Sequence, residues 1–202
     1  MSVHRVNGES DDAELVGACR QGDTSAFEIL VRRHQKGMLN LAFRMLGDYD
    51  EACDVVQDAF VAAYKGLSSF RGDARFTTWL TTITVNQARN RLGQLAARRR
   101  NEAYSLDAPL AAGDCDLYPD PPSPAPSVLD MLEEQALRRK VGECIAALPP
   151  DFREVLVLRD LQERSYEEIG TILNMRDGTV KSRLFRAREG VKECLKRVME
   201  AL

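Results

Sequence analysis

The chain has only two histidines, His4 and His34, and they lie in unrelated contexts. No P-loop and no HExxH pattern occurs, so the sequence offers no constellation for catalysis, no metal ligand set and no cofactor motif. It is read as a non-enzyme without a small-molecule substrate. Long apolar runs are missing as well. The longest purely aliphatic run is VLVL at 155–158, far short of the roughly 20 residues of a membrane-spanning helix, so no membrane insertion is expected. The opening stretch MSVHRVNGESDDAEL has neither an apolar core nor a cleavage site, so no secretory signal is expected. Cysteine is sparse and badly spaced for structure. Cys19, Cys53, Cys115, Cys144 and Cys194 are odd in number, scattered and without a CxxC. That pattern argues against a disulfide framework and against zinc, and predicts a reduced, cytoplasmic protein with mostly buried thiols. Alternating strand patterns bounded by turns are absent, so the fold class is all-α.

What is present is ordinary in total and uneven in placement. Hydrophobic residues make up 44% and charged residues 29% of the 202 positions, with a net charge of −3. Residues 86–100 nevertheless hold five arginines and no acid. Residues 101–136 hold eight acids and no base, and residues 179–197 hold seven bases against two acids. Blocks of this kind indicate separate parts with different partners. Between two of them lies PLAAGDCDLYPDPPSPAPS (109–127), which carries six of the eight prolines and little that can form a core. The composition predicts a flexible acidic linker over 101–127, between an N-terminal domain at 12–100 and a C-terminal domain at 128–202.

Helical periodicity predicts helices over 11–21 and 24–46, joined by the breaker Gly22-Asp23. A third is capped by Asp48 and runs to about residue 67, and a fourth runs from about Phe76 to about Arg100. In the C-terminal domain, helices are expected over 128–148, 151–161 and 166–174, the last opened by the capping box of Ser165 and Glu168. Met175-Arg176-Asp177-Gly178 then turns the chain into a final helix from about Thr179. Two short helices joined by a tight Gly-containing turn form a helix-turn-helix unit.

On the final helix, Val180, Leu184, Ala187, Val191, Leu195 and Val198 fall on one stripe and must pack inward. Ser182, Phe185, Arg186 and Glu189 face the other way, flanked by Lys181, Arg183 and Lys192. An outward face of Arg, Lys, Ser and an exposed Phe suits the DNA major groove: Arg bonds guanine edges bidentately and an apolar group meets the thymine methyl. Lys181, Arg183 and Arg188 are placed to grip phosphates. The competing reading is a solvated basic face with Phe185 packed on a neighbour.

In the N-terminal domain, Ala52, Val55, Val56, Ala59, Phe60, Ala63 and Leu67 form the core face of the third helix. Asp54, Gln57, Asp58, Val61 and Lys65 line its outer face, which is either plain solvent surface or a protein-docking stripe. The stretch FRGDARFTTW (70–79) sets three aromatics beside two arginines, the ingredients for binding single-stranded nucleic acid. Trp79 is read as an anchor to the core. Asn86 and Asn90, beside Arg89 and Arg91, give the fourth helix groups that bond base edges.

Taken in order, DAELVGACRQGDTSAFEILVRRH near the start, residues 50–92, ALPPDFREVLVLRDLQERSYEEIG (147–170) and GTVKSRLFRARE (178–189) resemble the extracytoplasmic-function group of RNA polymerase sigma factors, in the sigma-70 superfamily. The resemblance covers nearly the whole chain outside the linker. It implies two helical domains that dock on the two largest subunits of core RNA polymerase and direct it to promoter DNA. Asp54, Gln57, Asp58 and Val61 fall where the family contacts core polymerase. Phe70, Arg71, Gly72, Asp73, Arg75 and Phe76, with Asn86, Arg89 and Asn90, fall where it captures and opens the −10 element. Arg159, Thr179, Lys181, Ser182, Arg183, Phe185, Arg186 and Arg188 fall on the −35 reader. The acidic linker matches the segment that threads toward the RNA exit path, and an anti-sigma factor that holds the protein inactive until a stress signal is the implied regulator. Arg176-Asp177 departs from the small apolar or Pro residue that many relatives carry in the recognition turn. The alternative is a stand-alone dimeric helix-turn-helix regulator, which binds DNA unaided.

Overall fold

A computed structural model describes residues 11–102 and 128–200. The expected linker, apart from its first two residues, lies outside the described residues. The described helices are α1 (Asp12–Arg20), α2 (Thr24–Leu46), α3 (Tyr49–Gly66), α4 (Phe76–Glu102), α5 (Val128–Ala146), α6 (Pro150–Leu156), α7 (Tyr166–Leu173) and α8 (Asp177–Glu200), with no strand among them. The all-α expectation holds.

Helices α1 to α4 form the N-terminal bundle, with α2 and α4 both against α3. Local chemistry sets their ends. Asp23 caps α2 by accepting from the Ser25 amide at 2.9 Å, and Asp48 caps α3 by accepting from the Glu51 amide at 3.0 Å. Side-chain caps of this type satisfy amides that the first helical turn leaves without partners. All seven residues of the expected core face of α3, Ala52 to Leu67, are buried. They meet Leu30, Leu41, Leu80 and Val85 in the bundle interior. The first half of α4 is rich in threonine, a poor helix former. Its buried hydroxyls donate to carbonyls one turn back, Thr81 to Thr77 at 2.6 Å and Thr84 to Leu80 at 3.0 Å, so these two hydroxyls are satisfied within the helix itself. Asp12 ties α1 to α2 through Arg33 at 2.6 Å and His34 at 2.8 Å.

In the C-terminal bundle the VLVL run is buried at all four positions and packs with Ile169, Ile172, Leu173, Val180, Leu184 and Ala187. The helix expected over 151–161 is interrupted: α6 ends at Leu156 and passes into a π-helical turn, Val157–Leu161. The Gln162 amide there bonds the Val157 carbonyl at 3.0 Å, and the Arg164 amide bonds that of Leu158 at 2.9 Å. The last helix begins at Asp177, two residues before the sequence expectation, so Asp177 belongs to the recognition helix.

One expectation fails outright. Cys144 on α5 and Cys194 on α8 form a disulfide, with Cα atoms 5.7 Å apart and a sequence separation of 50. No short-range spacing marks such a pair; it exists because α5 packs against α8. Cys19 and Cys53 are free and half-buried, and Cys115 lies outside the described residues.

Candidate nucleic-acid interface

Asp54, Gln57, Asp58 and Val61 share one stripe of α3, and all four are exposed. Three acid or amide side chains therefore surround an apolar Val61 that is 46% exposed, with Tyr64 exposed one turn further on. Arg91 from α4 reaches the stripe, bonding Glu51 at 2.8 Å and Asp54 at 3.1 Å. The stripe therefore presents acid and amide groups around one exposed apolar side chain.

The loop after α3 is built by a 3-10 turn, Leu67–Ser69. Gly72, at φ +82°, supplies a left-handed conformation that a side chain would strain. Arg71, Asp73 and Arg75 are exposed. Phe70 is half-buried and stacks on Trp79 with ring centroids 4.8 Å apart. The Arg20 guanidinium lies 6.0 Å from the Phe70 ring and donates to the Leu67 carbonyl at 3.2 Å. Together Arg20, Tyr64, Lys65, Phe70 and Arg71 border an open groove of about 830 Å³. Arg20 and Tyr64 escape sequence reasoning because α1 and α3 are brought to the loop only by folding. Phe76 is 4% exposed and packs against His34, Phe70 and Trp79. Like Trp79 it anchors the loop, and in this arrangement it is not open to a base, contrary to the expectation.

On α4, Asn86 and Asn90 are exposed, and Asn90 borders a small polar cleft with Asp58, Gln87, Arg91 and Gln94. Arg89 is placed differently. Its Nε and Nη2 donate to the two carboxylate oxygens of Glu154, on α6, at 2.8 and 2.7 Å. That bonding lifts the Arg89 pKa above its ordinary value.

The helix-turn-helix is locally determined. The Glu168 amide donates to Ser165 Oγ at 3.1 Å, and the Ser165 amide donates to Glu168 Oε2 at 2.9 Å, completing the capping box. The bond from the Ser165 amide is the main reason the Glu168 carboxyl is held below its usual range, and Arg164 adds to it. Asn174 ends α7 in the left-handed region at φ 53°. Gly170 admits the turn: a Cβ there would lie 2.9 Å from the Met175 carbonyl oxygen, while the Met175 amide bonds the Gly170 carbonyl at 2.8 Å.

On α8, Val180, Leu184 and Ala187 are buried and Val191, Leu195 and Val198 half-buried, as the stripe requires. Thr179, Lys181, Ser182, Phe185 and Arg186 are exposed, Phe185 at 68%. Phe185 does not pack on a neighbour, and Arg186 has no intramolecular partner among the described residues. The other expected cations are engaged. Arg188 makes a bidentate bridge to Asp160 at 3.0 and 2.6 Å, which raises its pKa. Arg183 bridges Asp151 at 3.0 Å and approaches Glu154 at 3.8 Å. Arg159 donates to the Arg164 carbonyl at 2.8 Å and lies over Tyr166, as does Lys181.

Residues 30–99 match the model of sigma-70 region 2, and residues 138–189 match that of sigma-70 region 4. The RNA polymerase sigma-H factor of Pseudomonas aeruginosa is 39% identical over 190 residues, spanning 93% of this chain and 95% of its own length. The chain belongs to the extracytoplasmic-function group of the sigma-70 family. The ECF RNA polymerase sigma-E factor of Escherichia coli K12 is 42% identical over 180 residues, covering 89% of the sigma chain and 92% of that protein. Among solved structures, CnrH in complex with the cytosolic domain of CnrY aligns with a TM-score of 0.63 at 26% identity, over 93% of the sigma chain and 99% of CnrH. The sigma factor RpoE in complex with the anti-sigma factor NepR from Bartonella quintana shares the fold, with a TM-score of 0.64 at 23% identity over 84% and 96% of the two chains. Region 2 takes in the α3 stripe, the loop and most of α4; region 4 takes in the helix-turn-helix.

Proposed function

We propose that the protein acts in the cytoplasm as an alternative sigma factor, docking on core RNA polymerase and selecting promoters by their −10 and −35 elements. The α3 stripe of Asp54, Gln57, Asp58 and Val61 takes the polymerase. The loop over 70–75, with Asn86 and Asn90, takes the opened −10 strand. Arg186, Phe185, Ser182 and Lys181 read the −35 duplex, with Thr179 at the helix start. The observation that carries the reading is that one chain bears both surfaces. An acidic docking stripe serves no purpose in a self-sufficient DNA binder, and α8 leaves Arg186 and Phe185 exposed and unpaired. An inhibitory partner fits the same picture, since the similar CnrH is bound by the cytosolic domain of another chain. We infer that this protein too is held by an anti-sigma factor until a stress signal releases it.

The test is run-off transcription from a pool of genomic fragments by core polymerase with and without the chain. New transcripts should share one pair of upstream elements. Replacing Asp54 and Asp58 by Ala should abolish them while weak nonspecific DNA binding persists. Transcripts unchanged by the double substitution would remove the α3 stripe from polymerase docking.

A further inference from the structure

Arg91 belongs by sequence to the arginine block of 86–100, one residue after Asn90 on a helix expected to meet DNA. Folding turns it the other way. Its Nε lies 2.8 Å from Oε2 of Glu51, and its Nη2 donates to Oδ2 of Asp54 at 3.1 Å. One guanidinium from α4 therefore spans two acids of α3. The Glu51 contact is an ion pair without hydrogen-bond alignment, whereas the Asp54 contact is an aligned bond. The side chains of Arg91 and Glu51 are 21% and 23% exposed, and that of Asp54 is 65% exposed.

Burial is thus graded across the three. Glu51 and Arg91 sit at the seam between α3 and α4, where packing holds them, and Asp54 stands out into solvent at its edge. An exposed side chain loses rotamer freedom when a partner fixes it, and that loss is subtracted from the affinity. Arg91 removes the freedom beforehand. It bonds only Oδ2, and an ionised carboxylate offers about four acceptor positions, so a second cation still finds room on Asp54. The opposing effect is charge, because Arg91 cancels part of the pull that Asp54 exerts on a basic partner. That pull is weak at a solvated site, and Arg91 shares its charge with Glu51, so orientation outweighs it. Glu51, Asp54 and Asp58 also recur on one face of α3, where like charges repel. One arginine set between the first two offsets the repulsion and leaves the stripe net acidic.

We propose that Arg91 is a positioning residue of the docking stripe: anchored on Glu51, it presents Asp54 to a cationic side chain of core polymerase. The role rests on the sigma-factor reading above and deepens it. It also withdraws Arg91 from direct contact with −10 DNA, although its neighbour Asn90 stays exposed beside the same polar cleft.

A double-mutant cycle on the full-length chain, read as affinity for core polymerase, tests the role. Arg91→Ala should weaken binding about two- to tenfold, the fold-change for one side chain left to be ordered on docking. In an Asp54→Ala background the same substitution should cost nothing further. Glu51→Gln, which removes the anchor from the α3 side, should reproduce the loss and should likewise need Asp54. Arg91→Lys should fall between, because an ammonium does not span two acids as the guanidinium fork does. A general weakening of the α3–α4 packing would instead carry into both backgrounds and lower the melting temperature in step. With core at saturation, permanganate reactivity of the promoter bubble should match the wild type for every variant. Equal Arg91→Ala losses in both backgrounds, or none in either, would overturn the positioning role and leave docking through the stripe standing. A bubble deficit at saturating core would overturn it by putting Arg91 on DNA. If Asp54→Ala itself left core binding unchanged, the docking reading would fall and take the positioning role with it.

Discussion

Arg186 and Arg188 are two residues apart on one helix, and their surroundings give them different work. Arg186 projects from α8 unpaired, beside an exposed Phe185, whereas Arg188 is fixed by both oxygens of Asp160. A free guanidinium on the outward face is available for bidentate bonding to a guanine edge. Arg186→Ala should therefore weaken −35 binding by about 1–3 kcal/mol and relax the preference at one base pair. Arg188, whose guanidinium fork is already filled by Asp160, should contribute little: Arg188→Ala should leave −35 binding and its salt dependence nearly unchanged. Binding of both variants to promoters with and without single base changes separates the roles. Equal losses for Arg186→Ala on every sequence would take it out of base reading. The same scale explains two misplacements. Phe76 looks like Phe70 in sequence, but it is the first residue of α4 and turns into the core. Arg89 looks like any basic helix residue, and only the folded chain shows which acid it meets.

Single elements were legible where their chemistry is local. The capping box of Ser165 and Glu168, the Asp48 cap and the buried stripes of α3 and α8 follow from residues within a few positions of each other. The π-helical turn at Val157–Leu161 and the Cys144–Cys194 bond do not, because both depend on how distant helices pack. Local chemistry also fixes a pH response. The Glu168 carboxyl is held low chiefly by the Ser165 amide, and that of Asp23 by Ser25. A folded pKa below the unfolded one means stability that is present above the ordinary carboxylate range and lost as pH falls through the folded value. Glu168→Gln should thus flatten the acid side of a plot of melting temperature against pH; an unchanged slope would deny its capping role. The disulfide acts on a larger loop. With its cysteines 50 positions apart in sequence, it should stabilise the C-terminal helices by about 2–4 kcal/mol. In a reducing compartment such a bond is subject to thiol exchange. Denaturant unfolding with and without reductant measures the difference, and coincident midpoints would show that the α5–α8 packing suffices alone.

At the scale of the whole molecule, the segregated charge indicated two working parts, and family resemblance indicated what they serve. What stayed hidden was how the parts meet. The acidic linker, apart from its first two residues, lies outside the described residues, and the acid seen covering an arginine expected at the −10 element is Glu154. An acid just before a buried aliphatic run was the available signal, yet nothing in the sequence pairs it with Arg89, 65 residues away. A chain closed in this way is expected to be a poor DNA binder by itself. Once polymerase holds its halves apart, two modest sites act together, and overall affinity rises through effective concentration without any new contact. The decisive measurement is a titration of labelled promoter duplex at physiological salt, first with the chain alone and then with core polymerase present. The account predicts weak binding of similar strength on promoter and scrambled duplex for the chain alone, and tight, promoter-specific binding once core is added. Nanomolar, promoter-specific binding by the free chain would contradict it and favour a self-sufficient dimeric regulator.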